Sequence, residues 1–181
     1  MLAPIASPAL RGEFRLRIFD QRTFERLRAR HPDWPRDYLI ELALAADTGW
    51  IRNTITDFGR KWLVENAFST AMRLFISEAT APGDVERSTL QFLYPAQTPD
   101  QVQGPVNVFD RAALLQTRTQ TYSAPSSNRT IALVGLTVQT GANVATRAIG
   151  GIAAYSKLTT PKLQTTVQTA DVQYRVTWSF G

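Results

Sequence analysis

Along residues 172–179, Val172, Tyr174, Val176 and Trp178 alternate with Gln173, Arg175, Thr177 and Ser179. Successive side chains of a strand point to opposite faces, so this segment has one apolar and one polar side. Burying such side chains contributes about 1.5–3 kcal/mol each before entropy is counted, so the segment is structural. Residues 13–19 follow the same rule: Phe14, Leu16 and Ile18 point one way, and Glu13, Arg15 and Arg17 the other.

Between these two segments the sequence breaks into short β-like runs separated by turn signals. Strands are expected at 72–76, 114–122, 131–138, 152–157, 163–168 and 170–180, with Thr117, Thr119 and Thr121 marking a wet strand face. Loops are expected at 79–88, around Pro82-Gly83-Asp84, and at 95–105, 123–128 and 143–151. Residues 39–45 fit either period. The turn signal Asp47-Thr48-Gly49 and the β-branched and aromatic run from Trp50 to Ile55 favour strand, tight turn, strand. A helix over about 57–68 is expected behind a Thr56 or Asp57 cap, with Phe58, Trp62 and Leu63 at helical spacing.

Residues 20–38 depart from the β pattern. Phe24 and Leu27 share one face of a short helix, and Arg22, Arg26 and Arg30 recur every fourth residue on another. His31-Pro32-Asp33-Trp34-Pro35 ends it. Pro4 and Pro8 make the first residues an extended arm. The expectation is a mainly β protein: an antiparallel β-sandwich, jelly-roll-like or immunoglobulin-like, with one or two short helices. Residues 1–12 form the arm, and 13–181 form a single domain with a helical insertion at about 20–38.

The chemistry a site would need is sparse. Cysteine is absent, which excludes disulfides, thiolate metal sites and a cysteine nucleophile. The one histidine, His31, stands in a proline-rich turn and reads as a loop-packing residue. Asp57-Phe58-Gly59 lacks the rest of the kinase machinery, and no phosphate-binding glycine loop or nucleophile elbow is present. Glu78, Asp84, Glu86 and Asp100 fall in expected loops with no aromatic sugar platform near them. Asn128-Arg129-Thr130 fits the glycosylation pattern but carries no weight without a secretory signal. We therefore expect no catalytic, cofactor-binding or metal residues, and no enzyme. No apolar run reaches the roughly 20 residues a membrane helix requires, and the first residues do not resemble a signal peptide, which points to synthesis in a cytoplasm.

The net charge is +5, and lysine occurs only at 61, 157 and 162. Arginine-biased basicity fits bidentate contacts at an interface, and also fits codon bias in a GC-rich genome. The most basic stretch holds Arg15, Arg17, Arg22, Arg26, Arg28, Arg30 and Arg36. It reads either as a phosphate-contacting patch or as a solvated helix face pairing with Asp20, Glu25, Asp33 or a neighbour. No nucleic-acid-binding motif surrounds it and no aromatics interleave it. Protein docking is the expected role, with Arg22, Arg26, Arg30 and Trp34 as candidate docking residues.

The layout resembles a loose class of tailed-bacteriophage virion proteins found at the tail, the neck or the fiber attachment point. The resemblance rests on the opening strand 13–19, on Asn53-Thr54-Ile55-Thr56 before Gly59-Arg60, and on Leu74-Phe75-Ile76-Ser77. It continues through Ala79-Thr80-Ala81-Pro82-Gly83-Asp84, Ser88-Thr89-Leu90, the 128–136 segment and the Thr/Gln-rich 163–180. It covers most of the chain after Arg11; residues 20–38 depart from it and suit a partner-specific contact. The resemblance implies a homo-oligomeric ring or trimer subunit, made in the host cytoplasm and built into the virion. Such a subunit positions portal, tail or fiber subunits. A capsid decoration protein and a basic nucleic-acid-binding module are the alternatives.

Overall fold

The two alternating segments pair with each other. The computed structural model describes residues 9–55, 59, 72–78, 101–110, 115–140 and 148–179. In it β1 (Ala9–Asp20) leads into α1 (Gln21–Arg30) and α2 (Arg36–Leu42). The short strands β2 (Leu44–Asp47), β3 (Ile51–Arg52) and β4 (Thr54–Ile55) follow. Then come β5 (Met72–Ser77), β6 (Gln101–Asp110), β7 (Leu115–Tyr122), β8 (Arg129–Thr140), β9 (Ala148–Gln164) and β10 (Gln168–Ser179). β1 and β10 run antiparallel over their whole lengths, with Phe14 opposite Tyr174, Leu16 opposite Val172 and Arg17 opposite Asp171.

The protein is mainly β, with two antiparallel sheets and two short helices among the described residues. One sheet has the order β2-β1-β10-β7-β6, with β3 also on β1; the other has the order β4-β9-β8-β5. The chain changes sheet at Asn53. Ahead of it Ile51 and Arg52 pair with β1, and after it Thr54 and Ile55 pair with Tyr155 and Ala154 of β9. The Asn53 N–H bonds the Gly12 carbonyl at 3.2 Å, which holds the crossing point against β1.

The two sheets share one core. Phe14, Leu16 and Ile18 of β1, Tyr122 of β7, and Ala170 and Val172 of β10 meet Leu74 and Ile76 of β5 and Val134 and Leu136 of β8. The Tyr122 hydroxyl donates to the Leu74 carbonyl at 2.6 Å, so this buried phenol has a partner on the opposite sheet. Of the apolar face read from 172–178, Val172 is buried and Tyr174 and Val176 are half-buried. The Phe14 and Tyr174 rings lie 4.6 Å apart.

Several expectations change. Residues 148–151, expected as part of a loop, are the paired start of β9. Residues 39–45 are not one strand: α2 continues to Leu42, and only Leu44–Asp47 is extended. The helical insertion thus runs over 21–42 rather than ending near 38. Ala9–Gly12, expected as part of an arm, is the paired start of β1. Residues 101–105, expected as loop, belong to β6, an outer strand whose register shifts around Gln103 and Val106. Pro105 sits at that irregularity, where a ladder tolerates a missing N–H. The runs 152–157 and 163–168 are not separate strands either. The first and the start of the second lie in β9, where the register steps from Lys157 opposite Leu133 to Lys162 opposite Ile131 and leaves Leu158-Thr159-Thr160-Pro161 against Ala132 alone, a bulge. The tight turn expected at Asp47-Thr48-Gly49 does not reverse the chain: β2 and β3 follow one another along β1 in the same direction, Asp47 opposite Arg17 and Ile51 opposite Phe14, with Gly49 at φ 64° in the link between them. The expected helix at 57–68, apart from Gly59, and the loop 79–88 lie outside the described residues, as do residues 1–8.

Candidate functional site

The outward face of β1 is charged, yet it is not left to water. Arg15, Arg17 and Phe19 stand on it, and α1 and α2 fold back over it. Phe19, Phe24, Leu39, Ile40 and Ala43 make a second, smaller core beneath the helices. α1 starts where Asp20 accepts the Thr23 N–H at 2.7 Å, as an N-cap should. Hydrogen bonds from Thr23, then the Arg22 and Arg26 charges, hold the Asp20 carboxyl below its usual range. α1 ends at His31, whose N–H reaches the Leu27 carbonyl at 2.9 Å.

A web of ions ties α2 to the sheet. Arg17 is 1% exposed and Asp171, opposite it on β10, is 0% exposed. Asp171 accepts both terminal nitrogens of Arg36, at 2.7 and 2.9 Å, and the Thr121 hydroxyl at 2.8 Å. Arg17 reaches Asp171 at 3.5 Å and Asp37 of α2 at 2.7 Å. Arg15 chelates Asp47 through Nε at 3.0 and 3.1 Å and through Nη2, and bonds Glu41 at 3.2 Å. Paired, bidentate guanidiniums of this kind are the geometry in which a buried charge is tolerated.

Burial on its own would push the Asp47 carboxyl up. The Arg15 hydrogen bond, the Gly49 N–H and the charges of Arg15 and Arg17 outweigh it and hold Asp47 below its ordinary 3.8. A depressed acid contributes stability that is fully present above the unfolded value and is lost as pH falls through the folded one. Wild-type protein should therefore shed this increment, of less than about 1 kcal/mol for a partly solvated pair, below about pH 4. Asp47→Asn lacks it throughout. Urea midpoints of the two proteins should differ at neutral pH and converge in acid; a gap that persists unchanged in acid would show that the ion pair is not its source.

With α2 fixed this way, Tyr38 and Leu42 stand on the helix 49% and 48% exposed, and Trp34, in the bend just ahead of it, is 36% exposed. His31 stacks on Trp34 at 3.7 Å between ring centroids, and Tyr38 meets Trp34 edge-on at 5.1 Å. The candidate docking residues Arg22, Arg26 and Arg30 are all exposed on α1. They do not pair with Asp20, Glu25 or Asp33: Asp20 caps the helix, Glu25 accepts from Gln21 at 2.7 Å, and Arg26 bonds Thr23 at 3.4 Å. The structure thus brings Trp34 onto a ridge with Tyr38 and Leu42, which the sequence reading passed over, and places the arginines on the neighbouring helix. It pairs Arg15, Arg17 and Arg36 with carboxylates of the fold, burying Arg17 and leaving Arg36 exposed. The spacing of Trp34, Tyr38 and Leu42 was the missed signal, hidden by taking 39–45 as a strand.

Beside α1 lies a cleft of about 340 Å³ lined by Phe19, Phe24, Arg28, Arg36, Thr121 and Ala124 among others. No group of three or more metal-ligating side chains assembles among the described residues. Of the loop carboxylates, Glu78 accepts the Thr130 N–H at 3.1 Å, while Asp84, Glu86 and Asp100 lie outside the described residues. No helix among the described residues is long and apolar enough to cross a membrane. Comparison with family models, with curated proteins and with solved structures finds no match.

Proposed function

We propose that the chain is a non-enzymatic structural protein of a tailed-phage virion, a tail, neck or fiber-attachment subunit that positions another virion component. On this reading the two sheets form a β-sandwich, jelly-roll-like or immunoglobulin-like, that serves as a rigid platform. The observation that carries the reading is the exposed group of Trp34, just ahead of α2, and Tyr38 and Leu42 on α2, a helix that partly buried ion pairs fasten to the sheet. Exposed aromatics beside arginines are the residues that dominate binding energy at protein interfaces. A preordered ridge loses little entropy when it docks.

The test is assembly. Size-exclusion chromatography with light scattering should find a defined oligomer, or a complex once portal, tail or fiber subunits are added. Trp34→Ala and Leu42→Ala should each weaken that association by about tenfold or more. A persistent monomer that binds no virion subunit would overturn the proposal. Copurification with empty heads lacking tails would move it to a capsid decoration protein.

The exposed arginines of α1 favour one other reading, a nucleic-acid-binding module. Several phosphate contacts would make DNA affinity fall by orders of magnitude between about 50 and 200 mM salt. The ridge counts against that reading. One face of Trp34 is already covered by His31, and Tyr38 packs on it in a T-shaped arrangement, so the pair is a poor platform for stacking bases.

A further inference from the structure

We infer that the cleft beside α1 seats an apolar side chain from an acidic segment of the docking partner, with a neighbouring carboxylate held by Arg28. The inference rests on the docking function proposed above and names the partner's chemistry. The cleft has an apolar floor and a cationic rim. Phe19 and Phe24, their rings 5.2 Å apart, form the floor and close it off from the helical core behind. Thr121 and Ala124 line it too, as do Arg28 and Arg36, both exposed. No carboxylate lines it among the described residues.

The two arginines differ in what they can still bind. Both terminal nitrogens of Arg36 are engaged by Asp171, and one also meets Thr121. Arg28 is exposed and has no carboxylate at ion-pair distance among the described residues. Its neighbours on α1, Arg22, Arg26 and Arg30, add positive charge, and the single acidic residue of that helix, Glu25, is bonded to Gln21. The local field therefore selects an anion, while the phenylalanine floor selects an apolar group beside it. At about 340 Å³ the space is at the small end for a ligand pocket. It suits a large side chain with its adjacent backbone.

Two other occupants fit less well. A second copy of this chain carries +5 and would bring like charge to a basic helix. A nucleic acid would satisfy the rim but has no use for the apolar floor.

The experiment is fluorescence anisotropy on the full chain with three labelled peptides: Asp-Glu-Phe-Glu-Asp, Asp-Glu-Ser-Glu-Asp and Lys-Lys-Phe-Lys-Lys. The first should bind, more weakly as salt is raised, and the other two should bind at least about tenfold more weakly. Arg28→Glu reverses the charge at the rim, and Ala124→Trp fills the cleft without touching the charge. Each should lower affinity for the first peptide by about tenfold or more, with the thermal unfolding midpoint showing that both variants fold. Equal binding of the serine peptide, indifference to either substitution, or preference for the lysine peptide would each overturn the inference. So would self-association that Arg28→Glu abolishes. Assembly with virion subunits, measured on the same variants, separates the two proposals. If assembly persists while the peptide results fail, the cleft inference falls and the docking function stands. If the peptide results hold and no virion subunit binds, the reverse applies.

Discussion

Asp171→Ala should destabilise the protein by about 3 kcal/mol, the lower end of the cost of stripping one partner from a buried ion pair. The carboxylate is fully buried and gathers Arg17, Arg36 and Thr121 around it. Its loss affects the two guanidiniums differently. Arg36 is 43% exposed along its side chain and can exchange Asp171 for water. Arg17 cannot, because its side chain is 2% exposed and a guanidinium does not neutralise itself by losing a proton. Its Nε already lacks a hydrogen-bond partner among the described residues, and after the substitution its charge would be faced by the exposed Asp37 at 2.7 Å and Glu41 at 4.0 Å. Asp171→Asn keeps an acceptor but loses the charge, and should cost less than the alanine. Arg17→Met combined with Asp171→Leu removes both charges and should recover part of the loss, since apolar replacement of a buried pair is often neutral or better. Urea unfolding at neutral pH, read at constant m-value, measures all three. A loss below about 1 kcal/mol for Asp171→Ala would mean that Asp171 does not hold the Arg17 charge in the interior.

This network also marks where the sequence stopped being legible. Period-two alternation placed Phe14, Leu16 and Ile18 in the core and Val172 opposite them, and the structure agrees. The same rule put Arg15 and Arg17 on an open polar face. Alternation divides a strand into two sides but does not say what later covers the second one. Here the cover is α1 and α2, and two features pointed to it. Phe19 breaks the alternation on the side of the arginines, and Leu39, Ile40 and Ala43 are spaced as one face of a helix that needs an apolar floor. Asp171, a carboxylate just before Val172 in the strongest strand of the chain, was a third. The arginines of α1 were legible because spacing by four is a local property. The ridge beside them was not, because its last residue fell in the stretch taken as β. Pro105 was read as the end of a loop although it sits inside a strand, since a bulge accommodates proline and leaves no signature in a single sequence.

Phe75→Ala should cost about 3–5 kcal/mol, and its coupling to Gly135 should reveal why. On β5, Leu74 and Ile76 join the core between the sheets, so Phe75 points to the other side, and it too is fully buried. It lies directly across from Gly135 on β8. A Cβ at Gly135 would run into the Cζ and Cε1 atoms of the Phe75 ring and come within 2.8 Å of the Ala154 carbonyl oxygen. The backbone of Gly135 is therefore the surface on which the ring rests, the arrangement in which an aromatic compensates for a strand glycine. Gly135→Ala should cost about 1–3 kcal/mol by overpacking. With Phe75 cut back to alanine, the new methyl enters the space the ring has left, and only the Ala154 carbonyl still resists it. The double substitution should therefore be less destabilising than the sum of the single ones by about 1 kcal/mol or more. Denaturant unfolding of the four proteins in the cycle measures this directly. Strict additivity would mean that the ring does not rest on Gly135, and that this glycine answers only to β9 on its other side.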